Sequence, residues 1–319
     1  MNTATIRSAC AKVILCGEHA VVYGRPAIAL PLPGLRATAT ATAREPGDDA
    51  RADDVDVIAP DINARYWMRL QPGRPIARII QLTLTRIGMS PEHADWRPFA
   101  LSLTSDIPVG ANLGSGAATS VAAARATAAF FGQALSPEDL SALAFEVERM
   151  HHGTPSGIDN TVVAFEQPVW FVRGQPPEIL AAAGALALVI GDTGESTPTR
   201  VPVGDVRAAW QRDPVAYDAL FDQIARLVIQ ARDALLANDL PALGDTMNAN
   251  HALLQTLTVS NAGLDALCAA ARGAGALGAK MSGGGRGGNM IALARDDGHA
   301  ASVADALRAA GATRVYRSC

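Results

Sequence analysis

Lysine is nearly missing from this chain. Of its 27 basic residues only Lys12 and Lys280 are lysine, and all the others are arginine. Genomic base composition accounts for such a bias and for the abundant alanine. A drift of that kind still leaves lysine wherever a broad planar guanidinium cannot replace a compact ammonium. Both survivors adjoin glycine-containing segments, so both are candidates for function. Cysteine is scarce too. Cys10, Cys16, Cys268 and Cys319 form no C-x-x-C pair and no metal-ligand spacing, and a reduced, cytoplasmic chain is the simplest reading. No apolar run is long enough to span a bilayer, and "MNTATIRSACAKV" lacks the apolar core of a secretory signal. No window is strongly basic, the net charge is -4 and the sequence pI is about 5.9, so neither a nucleic-acid surface nor a membrane partner is expected. Internal repeats and low-complexity tracts are absent as well.

What is present is material for a sizeable core. The 319 residues are 49% hydrophobic and 18% charged, enough for one large domain or two moderate ones. "AKVILCGEHA" reads as a buried strand ending at Gly17, and "LRATATATA" as a strand with threonines on one face. "REPGDDARADD" reads as a surface loop. A helix is expected over 76–87, a strand over "FALSLTSDIP", a helix over 117–131, and another from Pro137 to about Met150 with Ser136 as its cap. "TVVAFEQPVWFVRG" reads as a hairpin. The character changes near "EILAAAGALALVIGDTG". A strand over 186–190, helices over 203–237 (interrupted near Pro214), 240–257 and 262–272, strands in "GAKMSGG" and "GNMIALA", a helix over 298–310 and a strand over 313–317 complete the chain. The boundary is expected near residue 183, giving domains 1–183 and 184–319.

Four segments carry chemistry. "IPVGANLGSGAATSVAAARATAAFF" is a strand end, a glycine loop and a helix. The free N–H groups of a helix start attract anions, and glycine lets backbone approach a ligand, so phosphate is the natural guest; a plain turn beside an Ala-rich helix is the bland alternative. The loop is neither a G-x-x-x-x-G-K-[ST] phosphate loop nor a dinucleotide fingerprint. "GAKMSGGGRGGNMIAL" holds five glycines between 283 and 288, more than a hairpin turn needs, which suggests backbone pressed against a ligand. "EVERMHHGTPSGIDN" crowds Glu148, His151, His152 and Asp159 around a helix end, although an aspartate in a loop is more often a cap. "KVILCGEHAVVYG" has an H–E pair but no H-E-x-x-H, so zinc is discarded.

The ordered set of these motifs resembles the GHMP kinase superfamily, and within it the mevalonate kinase family. "GEHAVVYG", "HGTPSGIDN" and "KMSGGGRGGN" carry the match, and it covers essentially the whole chain. The resemblance implies an α+β, two-lobed fold: an N-terminal ribosomal-protein-like α+β domain that binds ATP, a C-terminal α+β domain, and an active site in the cleft between them. It implies transfer of phosphate from ATP to the C5 hydroxyl of mevalonate, with Mg2+. Asp159 matches the catalytic residue beside the alcohol and Lys12 its partner lysine. Glu148 matches the metal ligand; where the family's second serine is missing, either Ser115 or water takes its place, or Glu148 mainly holds the metal. Glu18, His19 and Ser156 match substrate-binding positions. Pro108, Gly110, Asn112, Leu113, Gly114, Ser115, Gly116 and Ala117 form the nucleotide-binding loop. Some members are homodimers, which is the assembly the resemblance offers.

The roles fit elementary chemistry. Phosphoryl transfer asks mainly for positioning and charge neutralisation. A carboxylate takes the proton of a weakly nucleophilic alcohol, an ammonium stabilises the developing charge, and magnesium takes one or two carboxylates plus phosphate and water. Lys280 is expected to support the third motif. Two departures stand out. Gly116 occupies a position where the family usually has a second serine, and Arg286 interrupts the glycines, where it either meets an anion or is merely solvated. The alternatives are another small-alcohol or phosphomevalonate kinase of the same superfamily, or an inactive nucleotide-binding member.

Overall fold

The structure, a computed structural model, describes residues 4–44, 53–108, 112–152, 155–181, 186–195 and 197–318, with the backbone alone at His151 and His152. Most of the expected loop after Ala43 lies outside these. Contacts divide the chain into two compact units that interleave along the sequence.

The first unit comprises Met1–Ala11, Leu35–Pro108 and Gly114–Glu166. It takes the start of β1 (Thr5–Cys16), the later part of β2 (Ala27–Ala43), then β3 (Asp56–Ala59), β4 (Ala64–Trp67), α1 (Pro75–Arg86), β5 (Phe99–Ser105), α2 (Ser115–Phe130), α3 (Pro137–His152) and α4 (Ile158–Phe165). In β2, Ala37 to Ala43 pair antiparallel with Ser105 to Phe99, while β3 runs parallel to β5 and antiparallel to β4. The period-two pattern explains the strand: Ala37, Ala39 and Ala41 are buried and the threonines take the other face. On α2, alanines allow burial on nearly every side, from Ala117 to Phe130. Ser136 caps α3, its Oγ accepting from Asp139 N–H at 3.1 Å.

One expectation fails here. Thr161–Phe165 is not half of a hairpin but the end of α4. The Asn160 amide donates to Ser141 O at 3.1 Å and to Ser141 Oγ at 2.8 Å on α3, and Thr161 Oγ1 donates back to Gly157 O at 2.7 Å. These tertiary contacts override the strand preference of a β-branched run.

The second unit comprises Lys12–Gly34, Val109–Leu113 and Gln167–Cys319. In it the start of β2 pairs with β6 (Val169–Phe171), which pairs with β7 (Glu178–Ile179). There follow β8 (Leu188–Asp192), α5 (Arg200–Arg212), α6 (Pro214–Ala237), α7 (Leu240–Thr256), α8 (Ala262–Gly273), β9 (Gly278–Ser282), β10 (Asn289–Leu293), α9 (Asp297–Ala309) and β11 (Arg314–Arg317). The four-stranded sheet has the order β11-β8-β10-β9, antiparallel throughout. Asp213, Asp239, Asn261 and Asp296 each cap the helix that follows them, accepting from a backbone N–H three residues on. Helix α7 lies directly on β9. A Cβ at Gly278 would stand 2.3 Å from Gly244 O, so only glycine fits there, and Asn248 bonds Leu277 O and Ala279 N–H at 3.2 and 3.0 Å. No helix among the described residues is long and apolar enough to cross a membrane.

Candidate active site

The candidate residues fall in both units. In the first, Gly114 (φ 75°) opens α2, and no side chain among the described residues caps its first turn. Its N–H groups are therefore left for another acceptor, as an anion site at a helix start requires. Ser115 is half-buried and Gly116 exposed. A Cβ at Gly116 would meet nothing within 4 Å, and the residue is not among the positive-φ positions. Pro108 ends the preceding segment, and Gly110 lies outside the described residues.

Ser156 and Asp159 sit together at the start of α4. Ser156 Oγ accepts from Ile158 N–H at 3.4 Å, and Gly157 (φ 92°) caps the helix. The Asp159 carboxylate thus stands in the first helical turn, where the helix dipole favours an anion. Glu148 is half-buried on α3, the helix to which Asn160 ties α4. Among the described residues no group of three or more His, Cys, Asp or Glu is arranged to hold a metal. The donors at hand in this unit, the Glu148 carboxylate and the Ser115 hydroxyl, are hard oxygens and few. That suits Mg2+, which keeps waters and takes substrate phosphates as its other ligands.

In the second unit Lys12, on β1, is only 3% exposed, and its N–H donates to Leu113 O at 3.0 Å. The candidate lysine is thereby joined to the stem of the nucleotide loop. Asn112 (φ 57°) accepts from Thr199 Oγ1 at 3.2 Å.

The first and third motifs are riveted together by three side chains. Ser282 Oγ accepts from Ile14 N–H at 3.2 Å and donates to Ile14 O at 2.9 Å. His19 Nε2 lies 3.0 Å from Gly284 O. Burial lowers the His19 pKa to about 4, so the ring is neutral and must carry its proton on Nε2 to bond a carbonyl. Finally, Lys280 Nζ bonds Glu18 Oε1, and at 2.6 Å also Met281 O. Both charged groups are buried, and desolvation raises the Glu18 pKa while Lys280 opposes the rise. Glu18 therefore faces Lys280 inside the unit. Sequence reasoning had attached Lys280 to its own motif alone; the partner across 262 positions was invisible, although the survival of the lysine was a signal. The end of the first motif docks on α6, with Tyr23 stacked on Phe221 and Arg25 bonded to Asp218 and Asp222 at 3.1 and 3.0 Å.

Two of the third-motif glycines are required by neighbouring protein. A Cβ at Gly285 would stand 2.0 Å from Val259 O, and at Gly287 2.8 Å from Glu195 Cβ. Gly285 and Gly287 thus let the chain at Val259 and Glu195 pass close by. Arg286 between them is part-exposed yet paired: its NH1 bonds Asp205 on α5, and its Nε donates to Thr258 O at 3.2 Å.

Comparison with known proteins accords with this geometry. The model of the GHMP kinases N terminal domain matches residues 76–167, and that of the GHMP kinases C terminal domain matches 231–313. The chain is 36% identical over 329 residues to the mevalonate kinase of Pyrococcus horikoshii, covering 98% of this chain and 96% of that one. This chain belongs to the GHMP kinases. The mevalonate kinase of Thermococcus sibiricus is 37% identical to this GHMP kinase over 260 residues, 78% of this chain and 77% of its own. Among solved structures, L. major mevalonate kinase in complex with R-mevalonate superposes with a TM-score of 0.84 at 29% identity, covering 99% of this chain and 95% of that one.

Proposed function

We propose that this GHMP kinase transfers the γ-phosphoryl group of ATP to the C5 hydroxyl of mevalonate, giving 5-phosphomevalonate and ADP. The observation that carries the reading is the backbone bond from Lys12 N–H to Leu113 O, which joins the strand of the candidate lysine to the nucleotide loop. The relatives named above support mevalonate as the alcohol. In this reading Asp159 accepts the hydroxyl proton as the oxygen attacks phosphorus, and the bond to the ADP oxygen breaks. Lys12 stabilises the charge on the transferring group. The uncapped amides of α2 hold phosphate oxygens. Glu148 and Ser115 would hold Mg2+, which supplies charge neutralisation across the phosphates when bound. His19 and Ser156 line the alcohol side, and Glu18 acts there through the backbone it anchors. As a division of the sequence we keep domains 1–183 and 184–319, while the two compact units of the structure interleave across that boundary.

Coupled assay of ADP release over mevalonate, phosphomevalonate, homoserine and galactose tests the substrate. Mevalonate is expected to give the highest kcat/KM; a sister alcohol turned over as well would refute the specific assignment and leave the family intact.

The open position at Gly116 gives a second test. Gly116→Ser has room and no backbone obstacle, and adds a hydroxyl where the family resemblance implies a second serine. It is expected to lower the Mg2+ concentration for half-maximal rate severalfold at saturating ATP, whereas Ser115→Ala raises it. An unchanged titration in both variants would leave Glu148 as the sole side-chain ligand.

A further inference from the structure

We propose that Arg286 is a positioning residue for ATP: through Asp205 it fixes α5, whose N-cap then holds the nucleotide loop at Asn112. The inference rests on the kinase reading above and concerns a residue that stands alone among glycines in the third motif.

The contacts form a closed circuit within the second unit. Arg286 NH1 bonds Asp205 on α5. The backbone carbonyl of Arg286 accepts from Thr197 Oγ1 at 2.8 Å, just ahead of that helix. Thr199, the N-cap, does not cap its own helix; its hydroxyl donates to Asn112 Oδ1 instead. From Asn112 the chain enters Leu113, the residue bonded to Lys12.

The helix needs such a latch. Of its 13 residues only Pro202 and Val206 are buried. A helix with so little apolar anchorage is held weakly by packing, so polar contacts decide its place. Arg286 is also set in a costly conformation. It adopts φ 55°, a region glycine occupies freely and other residues rarely do, with glycines on both sides at φ 85° and 117°. A guanidinium kept at a position suited to glycine argues for a gain elsewhere. The backbone N–H bonded to Val259 O at 2.7 Å and Nε bonded to Thr258 O aim the side chain at α5.

The test is charge exchange. Arg286→Asp and Asp205→Arg each place like charges opposite one another and free α5. Each is expected to weaken ATP binding by about three- to tenfold, somewhat above the scale of a lost exposed ion pair, with kcat within about twofold. The double exchange restores the pair in reverse and is expected to return the ATP affinity to within about twofold of the parent. Arg286→Gly removes the latch while relieving the backbone, so its Tm should not fall although its ATP affinity does. Affinity is read by calorimetric titration with ATP, which needs no turnover. Failure of the mevalonate assay would therefore count against the kinase reading without touching this one. A double variant as weak as Arg286→Asp would mean that the guanidinium meets the nucleotide itself, and parent-like affinity in the single variants would mean that α5 is irrelevant to the loop; either result overturns the proposal.

Discussion

Asp159→Asn is expected to lower kcat by about two orders of magnitude or more, the usual scale for a positioned acid–base group. The substitution keeps the shape and removes both the proton acceptor and the charge. Structure at the start of α4 should survive it, because Gly157, Thr161 and Asn160 also hold that helix. Lys12→Met should cost a comparable factor through loss of charge stabilisation. ATP affinity should change little in Asp159→Asn, since backbone amides hold the phosphates in the proposed site. Single-turnover rates at saturating ATP and mevalonate measure the effect. Parent-like turnover in Asp159→Asn would remove that carboxylate from the chemistry.

The largest effect on stability is expected from Lys280→Met. The variant leaves the Glu18 carboxylate alone in the interior, and Oε2 of that carboxylate already lacks a hydrogen-bond partner among the described residues. Breaking a buried pair by removing one member costs about 3–5 kcal/mol, and removing both charges together costs much less. Lys280→Met/Glu18→Gln should therefore recover most of the loss. The pH dependence has a definite sign. Burial already raises the Glu18 pKa in the folded protein, and losing Lys280 raises it further. A carboxyl whose pKa is higher folded than unfolded loses stability as pH rises from the unfolded value toward the folded one. The deficit of Lys280→Met should thus be larger at pH 8 than at pH 5. Chemical denaturation at both values checks it; a deficit independent of pH and unrepaired by Glu18→Gln would show that the pair carries no such weight.

The helices were legible because their signals are local. Ser136 and Pro137 mark the start of α3, Pro214 splits α5 from α6, and the alternating alanines and threonines give β2 its faces. The segment after Asp159 misled because four β-branched or aromatic residues favour a strand, and the amide bonds that tie it in as a helix reach Ser141 on another helix. The hairpin of β3 and β4 carries strands of only four residues, too short for a period to show. At the site, motif order indicated which residues belong together. It could not indicate that Glu18 ends in a buried pair with Lys280, or that the third-motif glycines make room for Val259 and Glu195. Those are contacts across tens to hundreds of positions, and nothing in the adjacent sequence encodes them.

Both ε-ammonium groups of this protein lie inside the fold, Lys12 at 3% exposure and Lys280 at none. A lysine-specific protease or an amine-acylating reagent thus meets no lysine side chain on the native surface, although arginines are plentiful there. Cleavage after Lys12 or Lys280 requires β1 or β9 to open. When opening and closing are fast relative to cleavage, its rate follows the population of the open form. The two lysines are thereby built-in reporters: one reads the release of the first strand, the other the release of the strand beneath α7, and a comparison of the two cleavage rates ranks the local stabilities without any added label.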